Sequence, residues 1–432
     1  MKYFGTDGIR GIWQKDIDKK LILAVGKSIR EFFGSGKYII GRDSRASGTQ
    51  IIKTLLCGIG NDDTTVIDIG IVPTPVISYY TKANSAKCGI VVSASHNPAE
   101  FNGIKLFDEY GQKLCENAEK KFDSLIKKHI KTTDCYHSPN IQSIDITEEY
   151  IKHICSFISN LKGLKVCLDC AYGAMGNIAM RAFSNLGASI MAFNCDYISA
   201  KINHQCGSQY PHFLLSKLKQ YDCKLGFAFD GDGDRLVVIF DNQILDGDSV
   251  LYNISKSIKL NKNTIVATVL SNGSLQTQLN KDNIKLIKTA VGDKNIARCM
   301  MQNNYSLGGE QSGHYIIKPY STTGDGLLAA LIFAQSIYQD NKLVNPIKLD
   351  LMPQKTISLN APKSIMNDFG LLQIKSKYEM LLENKCRMIV RYSGTEPKIR
   401  IMIECNDQNL IEQAIQEFEI YIYNYNQFLN FL

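Results

Sequence analysis

The chain has 432 residues, 44% hydrophobic and 21% charged, with 32 glycines and 10 prolines; this excludes disordered and collagen-like classes, and the length calls for three or four cores rather than one. Its 49 Lys and Arg against 42 Asp and Glu give a net charge of +7, scattered without a basic block, which suits an acidic small molecule and gives little support to nucleic-acid binding. Thirteen cysteines, odd in number and irregularly spaced, indicate a reducing, cytoplasmic compartment; Met1 to Thr6 has no signal-peptide core, and no apolar run reaches membrane-span length.

In chain order, Lys37–Gly41 reads as a strand, Gln50–Gly58 as a helix, Thr65–Ile69 as a strand, Val76–Lys82 as a helix and Cys88–Val92 as a strand. The pattern restarts at Leu164–Leu168, passes through a helix over Asn177–Leu186, and continues with strands at Leu225–Phe229 and Leu236–Phe240. A third unit starts at Thr264–Val269, with Leu286–Thr289 following. Strands alternating with helices predict three consecutive doubly wound α/β domains with mixed, mostly parallel sheets. After Met352–Lys363, the strands Arg387–Arg391 and Ile399–Ile403 and a helix from Asn409 to about Tyr421 predict a smaller C-terminal α+β domain on a partly antiparallel sheet. The expected boundaries are 1–146, 147–245, 246–352 and 353–432.

Four stretches carry chemistry. The strand at Cys88–Val92 ends in Ser93-Ala94-Ser95-His96-Asn97-Pro98, and Asn102-Gly103-Ile104-Lys105 follows. Ser95 therefore falls beyond a strand's carboxyl end, where open α/β sheets bind ligands. A hydroxyl, an imidazole and an ammonium can converge there, although Ser, Asn and Pro also build ordinary turns. The sharpest signal is Asp230-Gly231-Asp232-Gly233-Asp234-Arg235, set between two strands. Three carboxylates at alternate positions can turn onto one hard cation, with Mg²⁺ the natural choice. An EF-hand also spaces Asp at such positions, but Arg235 stands where that loop needs Gly, and strands flank it where helices are required.

Gly308-Gly309-Glu310-Gln311-Ser312-Gly313-His314 places a carboxylate and a hydroxyl two residues apart, a pair suited to sugar hydroxyls or simply a loop. Arg391-Tyr392-Ser393-Gly394-Thr395-Glu396-Pro397-Lys398-Ile399-Arg400 gathers two arginines, two hydroxyls and loop amides into a nest fit for a phosphate. The turns Phe4 to Gly11, with Arg10, and Gly41-Arg42-Asp43-Ser44-Arg45 say little alone. Cys167 and Cys170 form a CxxC on an apparent strand, where positions three apart face opposite ways, so redox or metal chemistry is not expected of them.

Taken together and in this order, these motifs resemble the α-D-phosphohexomutase superfamily over nearly the whole chain. Gln311 and Ile202-Asn203-His204-Gln205-Cys206-Gly207-Ser208 resemble its bacterial glucosamine-phosphate branch more than its mannose and glucose branches. Gln209-Tyr210 departs from that pattern, and the chain is slightly short. The resemblance implies interconversion of glucosamine 6-phosphate and glucosamine 1-phosphate, with glucosamine 1,6-bisphosphate as intermediate and activator. Ser95 would be carried as a phosphoserine and, with Asp230, Asp232 and Asp234, would hold one Mg²⁺. His96 and Lys105 would handle protons, and Arg10 and Arg235 would steady phosphate charge. Glu310 and Ser312 would bind the sugar, while Arg391, Ser393, Gly394, Thr395 and Arg400 would grip the non-reacting phosphate. The expected partner is a small phosphosugar, with no nucleic acid and no membrane, in a monomer or homodimer. A reading of another class is a calcium- or phosphosugar-binding module without turnover.

Overall fold

The computed structural model describes residues 3–5, 8–60, 63–132, 134–135, 139–318, 320–381, 386–393 and 397–431. They form two compact units: 1–269 with 285–348, and 270–284 with 349–432.

The first unit is built on three sheets. Strands β1 (Ile9–Ile12), β2 (Lys37–Arg42), β3 (Thr65–Ile71), β4 (Cys88–Val92), β5 (Phe101–Phe107) and β6 (Asn140–Ser143) lie in the order β1-β5-β4-β2-β3-β6. β7 (Lys165–Asp169), β8 (Ser189–Phe193), β9 (Leu225–Phe229), β10 (Leu236–Phe240) and β11 (Gln243–Ile244) lie in the order β11-β10-β9-β7-β8. β12 (Thr264–Thr268), β13 (Lys285–Thr289), β14 (Leu307–Gly309) and β15 (Tyr315–Ile317) lie in the order β13-β12-β14-β15. One four-strand pattern recurs in all three: β5-β4-β2-β3, β10-β9-β7-β8 and β15-β14-β12-β13. In each, the first pairing is antiparallel and the other two are parallel. The mixed, mostly parallel sheets expected from the sequence are therefore present.

Parallel strands need cover on both faces, and the sequence supplies it as apolar runs. All five residues of β4 and of β9 are buried. The helix Gly326–Ile337 is apolar nearly all round, as a helix buried between layers must be, and Leu327 to Ala334 are all buried. Asp325 caps it by accepting from Leu328 N at 3.0 Å, and Gly326 N donates to Gly233 O at 3.0 Å. That bond ties the helix start to the loop after β9. A short hairpin, β16 (Tyr338–Gln339) with β17 (Lys342–Leu343), follows.

The second unit has β18 (Gln354–Asn360), β19 (Arg387–Tyr392) and β20 (Lys398–Glu404) in the order β18-β20-β19, antiparallel throughout. The partly antiparallel sheet expected here is wholly antiparallel. The helix Gln408–Phe431 runs ten residues beyond the expected end near Tyr421. The link between β12 and β13, with its helix Gly273–Lys281, belongs to this unit, and Glu404 accepts from Gly273 N at that helix's start. Cys386 and Cys405 form a disulfide because the register that pairs Arg387 with Glu404 brings the next residues together. The other eleven cysteines are free thiols, so this single cross-strand link is no disulfide framework.

Phe333 is fully buried, its ring 6.3 Å edge-on from Phe227. Phe333→Ala should destabilise the unit by about 3–5 kcal/mol. Phe369→Ala, at a side chain 73% exposed, should shift stability by less than about 0.5 kcal/mol. Urea unfolding followed by circular dichroism checks both.

Candidate active site

The buried strand β4 delivers Ser93 and Ser95 to the carboxyl edge of the first sheet. Ser93 Oγ donates to Asp43 Oδ2 at 2.6 Å and accepts from Ser95 N at 2.8 Å. Ser95 is 1% exposed and has φ +52°, the left-handed region that costs a residue with a Cβ about 1–2 kcal/mol. This conformation aims Ser95 Oγ at the second sheet, where it donates to Asp230 Oδ2 at 2.5 Å and lies 3.5 Å from Asp234 Oδ1. His96 Nδ1 is 3.4 Å from the same hydroxyl.

The acidic loop joins β9 to β10, which confirms strands at both flanks and removes the EF-hand reading. Asp230, Asp232 and Asp234 are buried, with one oxygen of each within 4.8 Å of the others. Gly233 makes the turn at φ +67°, its Cα packed under Met175. Lys105, on β5 and 2% exposed, bridges Asp232 Oδ2 at 2.7 Å and Asp234 Oδ2 at 2.9 Å. Thr74 Oγ1 donates to Asp232 Oδ2 at 2.5 Å.

Burial, then the charges of Asp234 and Asp232, push the Asp230 carboxyl up to about 8. Burial acts the same way on Asp234, but Lys105 and His314 outweigh it and hold that carboxyl well below its usual range. Burial, then Arg235 and Arg10, lower His96 to about 3, so its imidazole is neutral near pH 7. Asp232 Oδ1 is buried with no partner. Three crowded carboxylates with a bare oxygen among them fit a divalent cation, which would offset their mutual repulsion.

The third sheet closes the site through the loop between β14 and β15. Leu236 N donates to Gly313 O at 3.0 Å, and Arg235 forms a bridge with His314. His314 Nε2 lies 3.1 Å from Asp234 Oδ1, and its Nδ1 3.7 Å from Glu310 Oε2. Burial opposes protonation of His314, but the Asp234 carboxylate raises it above its usual value. Glu310 Oε1 accepts from Gly292 N at 3.0 Å, and the exposed Ser312 lies 3.5 Å from Glu310 Oε2. Gln311 donates to Asp248 Oδ2 at 2.8 Å.

The first unit thus gathers Ser95, His96, Lys105, Asp230, Asp232 and Asp234 through direct contacts, and Glu310 joins through His314. Arg10 joins through Asn97, its Nη1 3.5 Å from Asn97 Oδ1, and Arg235 N donates to Asp230 Oδ1 at 3.1 Å. In the second unit, Arg391 and Arg400 face one another across the β19–β20 pair, and Ser393 N donates to Lys398 O at 2.7 Å. Gly394 and Thr395 lie outside the described residues, as do Thr6 and Asp7.

Four further residues escaped the sequence reading. His314 ends the stretch Gly308–His314, and Asn203 lies in Ile202–Ser208, without a sequence signal for either role. Arg45 lay in a turn that says little by itself, and Thr74 gives no sequence signal at all. Cys167 and Cys170 part company as expected, each in contact with a different thiol, Cys223 and Cys195 respectively.

Fold and site together define a class: a multidomain α/β enzyme with a serine set on a carboxylate cluster suited to a metal ion. Comparison with known proteins matches residues 1–133, 148–243 and 246–354 to phosphoglucomutase/phosphomannomutase alpha/beta/alpha domains I, II and III, and residues 360–420 to the C-terminal domain. The chain belongs to this family. It is 37% identical over 433 residues to the phosphoglucosamine mutase of Clostridioides difficile (strain 630), covering 95% of this chain and 96% of that protein. Among solved structures, a phosphoglucomutase/phosphomannomutase family protein from Burkholderia thailandensis matches with TM-score 0.80 at 22% identity, covering 96% of each chain. Aspergillus fumigatus N-acetylphosphoglucosamine mutase, in complex with GlcNAc-6P and magnesium, matches with TM-score 0.65 at 17% identity, over 96% of this chain and 94% of that one.

The carboxylate cluster should bind one Mn²⁺ per chain, counted by electron paramagnetic resonance. Asp232→Asn should weaken that binding by roughly tenfold or more.

Proposed function

We propose that this chain interconverts glucosamine 6-phosphate and glucosamine 1-phosphate through a phosphoserine at Ser95 and a glucosamine 1,6-bisphosphate intermediate. The observation that carries the reading is the Ser95 hydroxyl held on Asp230, inside a buried triad already bridged by Lys105. The near-full-length likeness to a phosphoglucosamine mutase supports the choice of sugar.

In the forward step the P–Oγ bond of phosphoserine breaks, and a bond forms between phosphorus and the free sugar hydroxyl. The proton leaves that hydroxyl, and Ser95 Oγ ends protonated. His96, neutral and beside Oγ, can take or return a proton. Lys105, 2% exposed between two carboxylates, keeps a positive charge next to the triad. A Mg²⁺ held by Asp230, Asp232, Asp234 and the Ser95 oxygen would offset phosphoryl charge as it shifts between oxygens. Arg10 and Arg235 would steady that charge as well.

Glu310 and Ser312 would bind the sugar hydroxyls, with His314 linking Glu310 to Asp234. Arg391, Ser393, Gly394, Thr395 and Arg400 would hold whichever phosphate is not reacting; arginines set opposite each other on paired strands favour an anion between them. The bisphosphate must turn round before its second phosphate meets Ser95, so the sugar and phosphate groups must accept both orientations. We further propose a cytoplasmic monomer or homodimer that supplies amino-sugar nucleotide synthesis for the cell envelope, and four domains divided at 146/147, 245/246 and 352/353. No helix among the described residues is long and apolar enough to cross a membrane.

Turnover of glucosamine, glucose and mannose 6-phosphates, each with Mg²⁺ and a trace of its 1,6-bisphosphate, tests the reading. The amino sugar should lead in kcat/KM by about tenfold or more; a lead for mannose or glucose would move the chain to another branch of the family. Ser95→Ala should lower turnover by roughly 10⁴-fold or more while the variant still binds phosphosugar. Unchanged turnover would refute the phosphoserine.

A further inference from the structure

Two buried side chains that touch neither the triad nor the Ser95 hydroxyl converge on the backbone that carries it. Arg45 has a side chain wholly removed from solvent. Its Nε donates to Asp43 Oδ2 at 2.9 Å, its Nη1 to Phe101 O at 2.9 Å and to Pro98 O, and its Nη2 to Ser95 O at 3.0 Å and Asn97 O at 2.7 Å. All five guanidinium donors are therefore engaged, four of them by main-chain carbonyls of residues 95–101. No donor is left for a ligand phosphate. Asn203, from the layer of the second sheet, places Nδ2 2.8 Å from Ser95 O and 3.0 Å from Asn97 O. The same two carbonyls thus receive one donor from each side chain.

We propose that Arg45 and Asn203 are positioning residues for phosphoryl transfer at Ser95, a two-sided clamp on the Ser95 and Asn97 carbonyls that keeps Ser95 left-handed and its hydroxyl on Asp230. The inference rests on the reading of Ser95 as the phosphoryl carrier. Fixing the Ser95 carbonyl fixes its ψ, and the bond from Ser95 N to Ser93 Oγ fixes the peptide before it. Ser93 Oγ bonds Asp43 Oδ2, which also accepts from Arg45 Nε, so the loop is held from both ends by one closed ring of hydrogen bonds. Without the clamp, the residue relaxes toward the backbone regions open to serine, and Oγ swings off the triad.

Asn203 adds what Arg45 cannot. Arg45 comes from the loop after β2, a neighbour of the strand that delivers Ser95, whereas Asn203 comes from a turn between β8 and β9 of the second sheet, whose β9–β10 loop carries Asp230, and its N donates to Ala171 O at 3.0 Å. It therefore sets the gap between hydroxyl and carboxylates. Gly231, inside the acidic loop, shows how narrow that gap is: a Cβ there would lie 2.8 Å from Ser95 O and 2.9 Å from Asn203 Nδ2. On its other side Asn203 lines a cavity of about 450 Å³ with His96, Glu100, His204 and Tyr210, so a smaller side chain at 203 leaves no sealed void.

The test uses the full chain and follows kcat and KM for glucosamine 6-phosphate, Ser95 phosphorylation by intact mass, Mn²⁺ binding and the thermal midpoint. Asn203→Ala, and the isosteric Asn203→Asp that removes the donor, should lower kcat by ten- to a hundredfold. KM should stay within threefold, Mn²⁺ should bind as in the native chain, and the thermal midpoint should move by only a few degrees. Arg45→Lys, with one ammonium in place of a planar fork, should lower kcat further; should it not fold, the Asn203 variants still decide. A well-folded Asn203→Ala with native kcat would overturn the inference, and so would losses that match a lower folded fraction alone. A native chain that turns over none of the three hexose phosphates would overturn the phosphoserine reading, and the inference with it; native turnover with an equally active Asn203→Ala overturns the inference alone.

Discussion

Three carboxylates share one buried pocket, and the arrangement around them follows from that crowding. Burial, and then like charges this close together, keep the three from all ionising without compensation, which is why Asp230 is pushed up to about 8 while Asp234 is held low by Lys105 and His314. The buried ammonium of Lys105 is paired twice, to Asp232 and to Asp234. An unpaired buried charge would be strongly destabilising, so neither side of that pair is dispensable to the fold. The bare Asp232 oxygen marks where a cation would be held.

Topology explains how residues so far apart in the chain reach this pocket. Each of the three α/β sheets repeats one strand order, and in each the chain doubles back once, from the third strand of the pattern to the fourth. Those reversals are the loops β4 to β5, β9 to β10 and β14 to β15, which carry Ser95, Asp230 to Asp234, and Glu310 to His314. In the second unit, the loop from β19 to β20 holds Ser393 between Arg391 and Arg400. The antiparallel pair ending each parallel run is thus the device that turns a strand edge into a site. Leu236 N, at the start of β10, donates to Gly313 O in the third of these loops, and Gly326 N, at the start of the helix after β15, donates to Gly233 O in the second, so the second and third α/β layers are tied at the site.

Much of this is written in local sequence, and the exceptions share a cause. Buried strands such as Leu225–Phe229 are apolar runs with sharp ends, and the alternating Asp and Gly that follow give a carboxylate cluster suited to a cation. β5 was not read as a strand, because Phe101–Phe107 mixes Asn, Gly and Lys into its apolar pattern. One of those residues serves the site: Lys105 points at the triad. Arg45 is another such case. Read along the chain it is one more arginine in a turn, and its five acceptors lie on Asp43 and on carbonyls 50 to 56 residues further on. Composition and periodicity report which face a residue prefers; they do not report which carbonyls it will meet.

The same logic separates two kinds of positive charge near Ser95. Lys105 faces carboxylates, and its charge balances theirs. Arg45 has one carboxylate, Asp43, and spends its other donors on neutral carbonyls, so its contribution is geometric as much as electrostatic. A guanidinium suits that task because its donors lie in a rigid plane and it stays charged when buried. A serine kept in a strained backbone region needs such over-determination, since a single hydrogen bond could be lost to thermal motion and the strain released. Charge balance at the triad and backbone restraint behind the serine are separate requirements, and the fold meets them with different residues on opposite sides of the same loop.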